Sequence, residues 1–455
     1  MTLLVATAAC ALMVILIALR PVAALLLYGM TATYADGFGV SQWLSEIAFF
    51  GPCMNVLFIV LFARAVFQLR GYAHRPNPIR WKALASLAVV AWCVLSMLMR
   101  GASLLGATSI LPYLALPYLI IWAAFANAST SSRHLTRLVV LQSSLAALVL
   151  LIPGLSFLQG NSYVRWASGD LASVEQAVLY FPDASTLKGV SGNHYAQFHN
   201  PNLLGFYGTA AIAVGLFLLS HSPIKNKLGG LALMLVGVFI WVNSLTRGPM
   251  LGLLVMAAVF WIFLRARREK RKSALRRALN VLGIITAVAV LLASGTLRFL
   301  VPAAGDISVT GRVEGYSEAW RIIVQNPFLG KDASYEWDPL ARPHFIGLLF
   351  AADYGVVAGI FIAWLIFVTA GIIAVRVGMN RRVPTPDAFL VSMAFGITAG
   401  IAATNNFAGP LLFGAILGHL VIMGGSEQFL SDGRSPLMPK ESAFGSQFHR
   451  DHMVI

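Results

Sequence analysis

The sequence predicts an all-α integral membrane protein with about twelve transmembrane helices and a large external loop containing amphipathic helix. Two observations predict this class. Apolar residues make up 58% of the 455 residues and charged residues only 11%, whereas soluble domains carry roughly 25% charged residues. Apolar runs long enough to span a membrane, which takes about 20 residues, also recur along residues 1–426, and their centres lie near residues 15, 58, 91, 118, 147, 211, 236, 257, 289, 365, 395 and 416.

The two ends of the chain differ in character. The first apolar run, from Leu3 to Tyr28, is interrupted by Arg20-Pro21, so it is either one span or a short hairpin. It has neither a basic n-region nor a small-residue cleavage site, and we therefore expect it to be retained rather than removed as a signal peptide. Residues 427–455 are polar and rich in Ser, Pro and Gly, a composition that predicts a disordered tail.

The basic residues predict the orientation. They lie in short connectors after the second, fourth, sixth, eighth and tenth spans, and the largest cluster lies at residues 265–277. Because cytoplasmic loops carry the excess of Lys and Arg, that side is predicted to be cytoplasmic. An even number of spans then places both termini and the 427–455 tail in the cytoplasm. The formal net charge of +15 follows from this pattern and does not indicate a nucleic-acid partner.

Two longer connectors lie on the opposite face, at about residues 158–200 and 300–354. Within the second, apolar residues recur at helical spacing: Val313, Tyr316, Trp320 and Ile323. We expect the segment from Arg312 to Val324 to form a helix that lies on the membrane surface. The sequence shows no internal repeat and no sign of an interrupted helix.

The first external connector ends in a polar cluster that runs from His199 to Asn202. Asn200-Pro201 favours a turn, and Asn can cap the helix that follows. The cluster is either an ordinary helix start at the membrane surface or an anion site, because backbone N–H groups at a helix N-terminus attract anions. His199 and Asn202 are therefore candidates for substrate binding.

Arg247 lies between two spans that almost no loop separates. Gly248-Pro249 predicts the start of the next helix, and no acidic residue lies within ten positions of Arg247. An arginine inside the membrane costs roughly 2.5–3.5 kcal/mol on insertion scales, so it is usually retained for a function. Arg247 is a candidate for binding an anionic substrate, and the alternative is an interfacial arginine that extends to lipid phosphates.

The second external connector concentrates charge. Residues 300–350 of it hold six carboxylates and five candidate cations: Arg312, Arg321, Lys331, Arg342 and His344. Arg321 could form an ordinary ion pair with Glu318 or Glu314 on its own helix, and Lys331 and Arg342 could be solvated.

Two of these cations, Arg312 and His344, are the more specific candidates for a role in the reaction. Arg312 follows Thr310-Gly311 at a predicted helix start, where a cation opposes the helix dipole, so an anion bound there would be stabilising. His344 is either a packed histidine beside an apolar run or a general base, because imidazole is well suited to accept a proton near neutral pH. The residues alone leave these two readings of His344 level.

The composition predicts no metal site and no cofactor. Cys10, Cys53 and Cys93 all fall inside apolar runs, so they indicate no disulfide framework. No cluster of His, Cys and Asp has the spacing of metal ligands.

The order of these features resembles the O-antigen ligase and polymerase superfamily of bacterial inner-membrane proteins, over roughly residues 199–359. The shared features, in chain order, are Asn200-Pro201-Asn202 at a span start, Thr246-Arg247-Gly248 between two spans, Gly311-Arg312 opening the external loop, Trp320 followed by Asn326-Pro327-Phe328-Leu329-Gly330, and His344 before a short apolar helix and a turn with Gly355 and Gly359. The chain departs from the pattern at Phe345, where many members have Asn, and at Thr246, where Ser is common.

The resemblance implies an inverting, metal-independent glycosyltransferase of the membrane C-type architecture. Such an enzyme takes a glycan from undecaprenyl pyrophosphate on the periplasmic face of the inner membrane. The resemblance also implies that Arg247, Arg312 and Arg321 bind the pyrophosphate and that His344 is the catalytic base. His199, Asn202, Lys331 and Arg342 remain further candidates for substrate binding.

Within this class of enzyme, the sequence leaves the identity of the glycan acceptor undetermined. A lipid A core oligosaccharide would make the protein an O-antigen ligase, which the large loop and modest chain length favour. A lipid-linked repeat would make it a polymerase, and a protein hydroxyl would make it an O-oligosaccharyltransferase. A transporter of lipid-linked glycans is the alternative from another class, and it is disfavoured by the lack of repeats and of interrupted helices.

Overall fold

The computed structural model describes residues 2–37, 50–71, 77–126, 134–147, 201–221, 224–244, 248–266, 307–332, 345–365 and 410–425, with isolated positions between 335 and 343 and between 388 and 396. Within these residues all regular structure is helical. The predicted all-α class is therefore confirmed for the described part of the chain.

Described helices lie in ten of the twelve predicted apolar runs, whereas the runs centred near residues 289 and 395 lie wholly or largely outside the described residues. In chain order the described helices are α1 (Thr2–Leu19), α2 (Pro21–Gly37), α3 (Phe50–Gly71), α4 (Asn77–Met99), α5 (Leu104–Ser109), a 3₁₀ turn (Leu111–Tyr113), α6 (Ala115–Phe125), α7 (134–147), α8 (Pro201–His221), α9 (Ile224–Ser244), α10 (Gly248–Ala266), α11 (Ile307–Gln325), α12 (Ile346–Tyr354), α13 (Val356–Ala363) and α14 (Pro410–Gly425).

The break in the first apolar run is narrow. The Arg20 N–H donates to the Leu16 carbonyl at 2.7 Å, and the Ala24 N–H donates to the Arg20 carbonyl at 3.0 Å. Helical hydrogen bonds thus continue on both sides of Pro21, whose ring removes one donor. This leaves no turn for a hairpin at Arg20-Pro21.

One described helix segment, Trp81–Met99 in α4, is long and apolar enough to cross a membrane alone. Leu104–Tyr113 and Ala115–Phe125 pass the same test together, but the pair is bent by 68°. Leu114 has an extended backbone at this bend, so the expectation that the chain contains no interrupted helix is wrong. Six more described helices are apolar over shorter lengths: Thr7–Leu19, Cys53–Leu69, Gly205–Ser220, Asn226–Trp241, Gly252–Trp261 and Leu411–Ile422.

The core centres on α6, whose residues from Ala115 to Ala124 are all buried. Helices α3, α4 and α14 pack around it. Gly414 and Gly418 of α14 lie against α6 so closely that a Cβ at Gly418 would lie 2.8 Å from the Trp122 Cβ. This small-xxx-small spacing lets two helix backbones approach each other closely.

Helices α8 and α9 form a second tight pair. A Cβ at Gly208 would lie 2.8 Å from the Gly237 carbonyl oxygen, and one at Gly215 would lie 2.6 Å from the Gly230 carbonyl oxygen. Each helix thus presents two glycines seven residues apart, which places them on one face. The two backbones therefore touch over about two turns.

Candidate functional site

The described part of the second long connector packs against the C-terminal end of α4. Its elements are α11, the segment at residues 326–332 that follows it (the turn segment), and the helices α12 and α13 with the sharp turn between them (the Gly355 turn). Ala319, Ile322 and Ile323 of α11 pack on Ala351 and Ala352 of α12 in a small apolar cluster.

The Gly355 turn needs glycine for two reasons. Gly355 has φ +94° and ψ 162°, a region of backbone conformation that is essentially restricted to glycine. A Cβ at this position would also collide with the Phe328 carbonyl oxygen. The short apolar helix and glycine turn that the sequence motif implied are therefore present, and the turn accommodates the backbone of the Asn326-Pro327-Phe328-Leu329-Gly330 motif.

Main-chain hydrogen bonds join the turn segment to the Gly355 turn. The Val356 N–H donates to the Pro327 carbonyl at 2.7 Å, and the Lys331 N–H donates to the Ala352 carbonyl at 2.7 Å. Gly330 has φ +79°, and a Cβ there would lie 2.6 Å from the Asp353 carbonyl oxygen. Two motifs that are 25 residues apart in sequence thus form one interlocked unit.

Helix α4 contributes two side chains to this unit. The Trp92 Nε1–H donates to the Tyr354 carbonyl at 2.9 Å. The Arg100 guanidinium donates to the Ser96 carbonyl at 3.0 Å and also to the Lys331 carbonyl. Burial lowers the pKa of Arg100, against the opposing effects of Tyr354, Asp353 and Asp332. The side chain thus anchors the turn segment to the end of α4.

Arg100 was missed by the reasoning from sequence. The available signal was its position, because it follows the third predicted span and is therefore predicted to lie on the side opposite the basic connectors. A cation on that side is an exception to the positive-inside pattern.

The carboxylate of Asp353 contacts the side chains of two other residues, Trp337 and Lys331. Asp353 as a whole is only 7% exposed, and its Oδ1 accepts a hydrogen bond from the Trp337 Nε1–H at 2.8 Å. The Lys331 Nζ lies 3.5 Å from the same oxygen. A buried carboxylate needs such partners, because an unpaired buried charge is strongly destabilising.

Lys331 is enclosed rather than solvated. Its Nζ donates to the Tyr335 carbonyl at 3.1 Å and lies 5.7 and 5.6 Å from the ring centroids of Tyr335 and Trp337. These distances fit cation–π contacts. The ammonium group therefore has a set of structural partners, and a bound pyrophosphate would have to compete with Asp353 for it.

Arg321 forms the ion pair that the sequence offered as its alternative role. Its Nε lies 2.8 Å from Glu318 Oε2, and its Nη1 lies 3.0 Å from Gln325 Oε1. Glu318 also accepts a hydrogen bond from the Tyr335 hydroxyl at 2.8 Å. The pKa of Glu318 is lowered to about 2, mainly by the hydrogen bond from Arg321 and next by the hydrogen bond from Tyr335.

The position of Arg312 differs from the prediction. Helix α11 begins by Ile307, so Arg312 lies in its second turn and not at a helix start, and the dipole argument does not apply to it. The helix continues through Gly311 because an interior glycine costs only about 1 kcal/mol. Arg312 and Arg321 are nine residues apart, which places them about 13 Å apart along the axis and on opposite sides of the helix.

The packed face of α11 also differs in part from the predicted stripe. Ile323 packs inward as expected, together with Ala319 and Ile322, whereas Trp320 is 64% exposed and Tyr316 is 36% exposed. Trp320, Val324 and the following Phe328 form a second, exposed apolar stripe. The helix therefore has two apolar faces, one toward α12 and one away from the described residues.

Four predicted site residues lie outside the described residues: His199, Arg247, Arg342 and His344. Residues next to them in sequence are described by the structure. α8 begins at Pro201, so Asn202 lies in its first turn, and α10 begins at Gly248 as its Gly-Pro sequence predicts. Pro343 is buried and Phe345 is the N-cap residue of α12. Their roles remain predictions.

Within the described residues, no group of three or more His, Cys, Asp or Glu side chains could hold a metal ion. Comparisons with protein-family models, with characterised proteins and with solved structures gave no significant match to this chain. In the described part of the chain, the fold and site thus define a helical protein in which the turn segment and the Gly355 turn are interlocked.

Proposed function

We propose that this protein is an inner-membrane glycosyltransferase of the O-antigen ligase type. It transfers a glycan from undecaprenyl pyrophosphate to a lipid A core oligosaccharide at the periplasmic face, with inversion and without a metal ion. The observation that carries the proposal is the packing of the Asn326–Gly330 motif on the Gly355 turn. The sequence resemblance rests in part on these two motifs, and their direct contact gives a physical reason for their joint occurrence.

The proposal includes the membrane topology of about twelve spans with both termini in the cytoplasm. Large apolar side chains on the outside of the bundle support it, since Leu19, Phe67 and Leu228 are each at least 70% exposed. Extended exposed apolar surface is uncommon in soluble monomers. The glycine-mediated packing of α6 with α14 and of α8 with α9 is also typical of membrane helices.

The placement of α4 supports the same orientation. Counted by the basic connectors, α4 runs from the cytoplasm outward and ends at Met99. Arg100, the next residue, contacts the carbonyl of Lys331, which belongs to the connector assigned to the external side. Both assignments follow from the same count of spans and basic connectors, and the contact is consistent with them.

The chemistry requires a bound polyanion and one proton acceptor. Arg247 and Arg312 bind the pyrophosphate, because planar guanidinium groups suit phosphate oxygens. The acceptor hydroxyl oxygen attacks the anomeric carbon, the bond from that carbon to the pyrophosphate oxygen breaks, and the pyrophosphate leaves with the electron pair. His344 takes the hydroxyl proton. Attack opposite the leaving group inverts the anomeric configuration.

Arg321 is a weaker candidate than Arg247 or Arg312. It is paired with Glu318 on the exposed polar side of α11, and it lies on the opposite side of that helix from Arg312. A pyrophosphate bound by Arg312 cannot approach Arg321 along the same face. Arg321 therefore acts on the donor only if the Glu318 pair opens.

A polymerase, which differs only in the acceptor, is the nearest alternative. One observation favours a transporter. Helices α5 and α6 form an interrupted helix bent by 68°, and broken helices are common at the substrate sites of transporters. At the Gly355 turn, however, the carbonyls of Ala352 and Tyr354 already accept hydrogen bonds from Lys331 and Trp92. They have protein partners and need no transported ion to satisfy them.

One assay separates these functions. The purified protein is incubated with undecaprenyl-pyrophosphate glycan and chelator, with and without lipid A core acceptor. Glycan on the core lipid supports the ligase, and longer lipid-linked glycan without added acceptor indicates the polymerase. Movement of the intact donor across a proteoliposome membrane, with no new glycosidic bond, would refute an enzyme. A dependence on added metal would contradict the metal-independent mechanism.

A further inference from the structure

We propose that an exposed apolar row beginning on α11 binds the first isoprene units of the donor's undecaprenyl chain. This exposed row consists of Tyr316, Trp320, Val324 and Phe328. The inference rests on the proposed function, because it assigns a binding surface to the lipid donor of that reaction. It concerns the lipid chain, whereas the mechanism above concerns only the pyrophosphate and the acceptor hydroxyl.

The exposed row is about one side chain wide. On one flank Arg321 and Gln325 are exposed polar residues, and on the other flank Ile323 is buried against α12. Tyr316 and Val324 are eight residues apart and thus lie within an arc of only about 80°. An amphipathic helix usually presents an apolar face at least about 100° wide. The narrow row therefore fits one linear hydrocarbon chain better than a broad lipid surface.

The start of the exposed row fits the head of the donor. Arg312, which the mechanism assigns to the pyrophosphate, lies four residues before Tyr316 on α11. Residues four positions apart are neighbours along one side of a helix. From Arg312 to Gln325 the helix axis runs about 20 Å. The undecaprenyl donor is an anionic head joined to one linear apolar chain, and a cation followed by an apolar row is complementary to it.

The other end of the exposed row reaches a predicted span. The Val356 N–H donates to the Pro327 carbonyl at 2.7 Å, so the backbone of Phe328 lies beside the start of α13. Exposed apolar side chains continue on α13 at Val357 and Ile360, which are three positions apart and share one face. The exposed row thus leads from the position of Arg312 to an apolar face of the tenth predicted span.

An apolar row at this place has a physical reason. The proposed reaction takes place at the periplasmic face, so the first isoprene units of a bound donor must leave the hydrocarbon core. Exposure of hydrocarbon to water is unfavourable in proportion to its area, and the exposed row covers these units. The remaining units stay in the bilayer and gain little from the protein, because lipid chains are as apolar as Leu. Without donor, membrane lipid contacts the same side chains.

The first test compares two donors that carry the same glycan on pyrophosphate. One has the full undecaprenyl chain, and the other has a short, water-soluble prenyl chain. We expect Trp320→Ser and Phe328→Ser each to raise the KM for the undecaprenyl donor by about 10-fold, which is the scale of losing one large apolar contact. The kcat for that donor and both kinetic constants for the short donor should stay unchanged.

Two residues on other helices provide matched controls. Phe67 is 70% exposed and Phe328 is 68% exposed, and Trp81 is 66% exposed and Trp320 is 64% exposed. Phe67→Ser and Trp81→Ser therefore remove the same side chains at the same exposure, and we expect both KM values to be native. The inference is overturned if all KM values stay native, if the KM rises equally for both donors, or if the controls raise it as much.

Photocrosslinking identifies the occupant without turnover and without a destabilising substitution. A benzophenone amino acid takes the place of Trp320 or, in the control, of Trp81, and the protein is irradiated in proteoliposomes with radiolabelled undecaprenyl-pyrophosphate glycan. We expect donor to crosslink at Trp320 far more than at Trp81, and unlabelled undecaprenyl pyrophosphate to compete. Crosslinks only to bulk phospholipid, or to a second copy of the protein, would overturn the inference. Donor that crosslinks at Trp320 without any glycan transfer would refute the proposed enzyme instead, which is a distinct result.

Discussion

The indole N–H of Trp92 donates a hydrogen bond to the carbonyl of Tyr354, a residue 262 positions away in sequence. Trp92 lies seven residues before the end of α4, about 10 Å along the helix from Met99. The hydrogen bond therefore joins a predicted span to the turn on which the Asn326–Gly330 motif packs.

Trp92→Phe should destabilise the protein by about 1–3 kcal/mol, because it leaves the partly buried Tyr354 carbonyl without its donor. The measurement is thermal unfolding of the detergent-solubilised protein. Trp81→Phe is the matched control, since Trp81 is 66% exposed and should change the midpoint little. Equal midpoints for Trp92→Phe and the wild type would show that the hydrogen bond contributes nothing to stability.

Gly355→Ala should prevent correct packing of the turn segment. The backbone conformation alone costs about 1–3 kcal/mol for a residue with a Cβ, and the Cβ would also collide with the Phe328 carbonyl oxygen. Gly229→Ala in α9 is the control, because a Cβ there meets nothing within 4 Å. Helix propensity predicts that this control is neutral or slightly stabilising. A folded, active Gly355→Ala protein would contradict the described turn.

The Glu318 attachment should depend on pH. Its pKa is lowered to about 2 in the folded protein from an ordinary value of 4.5, so its stabilising effect is complete above about pH 4.5 and is lost as the pH falls toward 2. Glu318→Gln should therefore unfold at a lower temperature than the wild type at pH 6, and the difference should shrink by pH 3. The control Glu314→Gln changes a neighbouring exposed carboxylate. A difference that grows on acidification would contradict the assignment.

The topology is tested by labelling. A cysteine at Ser308 should react with a membrane-impermeant reagent in spheroplasts, whereas one at Ser273 should not. Spin labels extend this test to α11: a label at Trp320 or Val324 should be accessible to oxygen in the lipid, and labels at Arg321 or Gln325 to a water-soluble nickel complex. The physical reason is that aromatic and apolar residues favour the membrane interface. The reverse labelling pattern would refute the orientation.

The donor site is tested by arginine replacement. Arg247→Ala and Arg312→Ala should abolish transfer, and Lys should restore little activity, because an ammonium group lacks the bidentate fork. Arg321→Ala should lose less, since this residue is engaged with Glu318 on the other side of α11. The measurement is donor turnover by folded protein. An Arg247→Ala or Arg312→Ala protein with native turnover would identify that residue as a lipid anchor.

Local features of this protein were determined by its sequence. Apolar runs predicted the all-α class, and Gly-Pro and Asn-Pro predicted the starts of α10 and α8. These are effects of residues on their own backbone or on neighbours within one or two helical turns. For the same reason the i, i+3 pair of Glu318 and Arg321 could be foreseen as an alternative.

Only the tertiary structure determined which distant residues contact one another. Periodicity shows that α11 has apolar residues, but it does not show that Ala319 and Ile322 face α12 while Trp320 faces away. Composition shows that Lys331 and Asp353 carry charges, but only the folded chain brings them within 3.5 Å. The contact between Arg100 and Lys331 could be found only in the folded chain, because it depends on how distant helices pack and no local pattern encodes that distance.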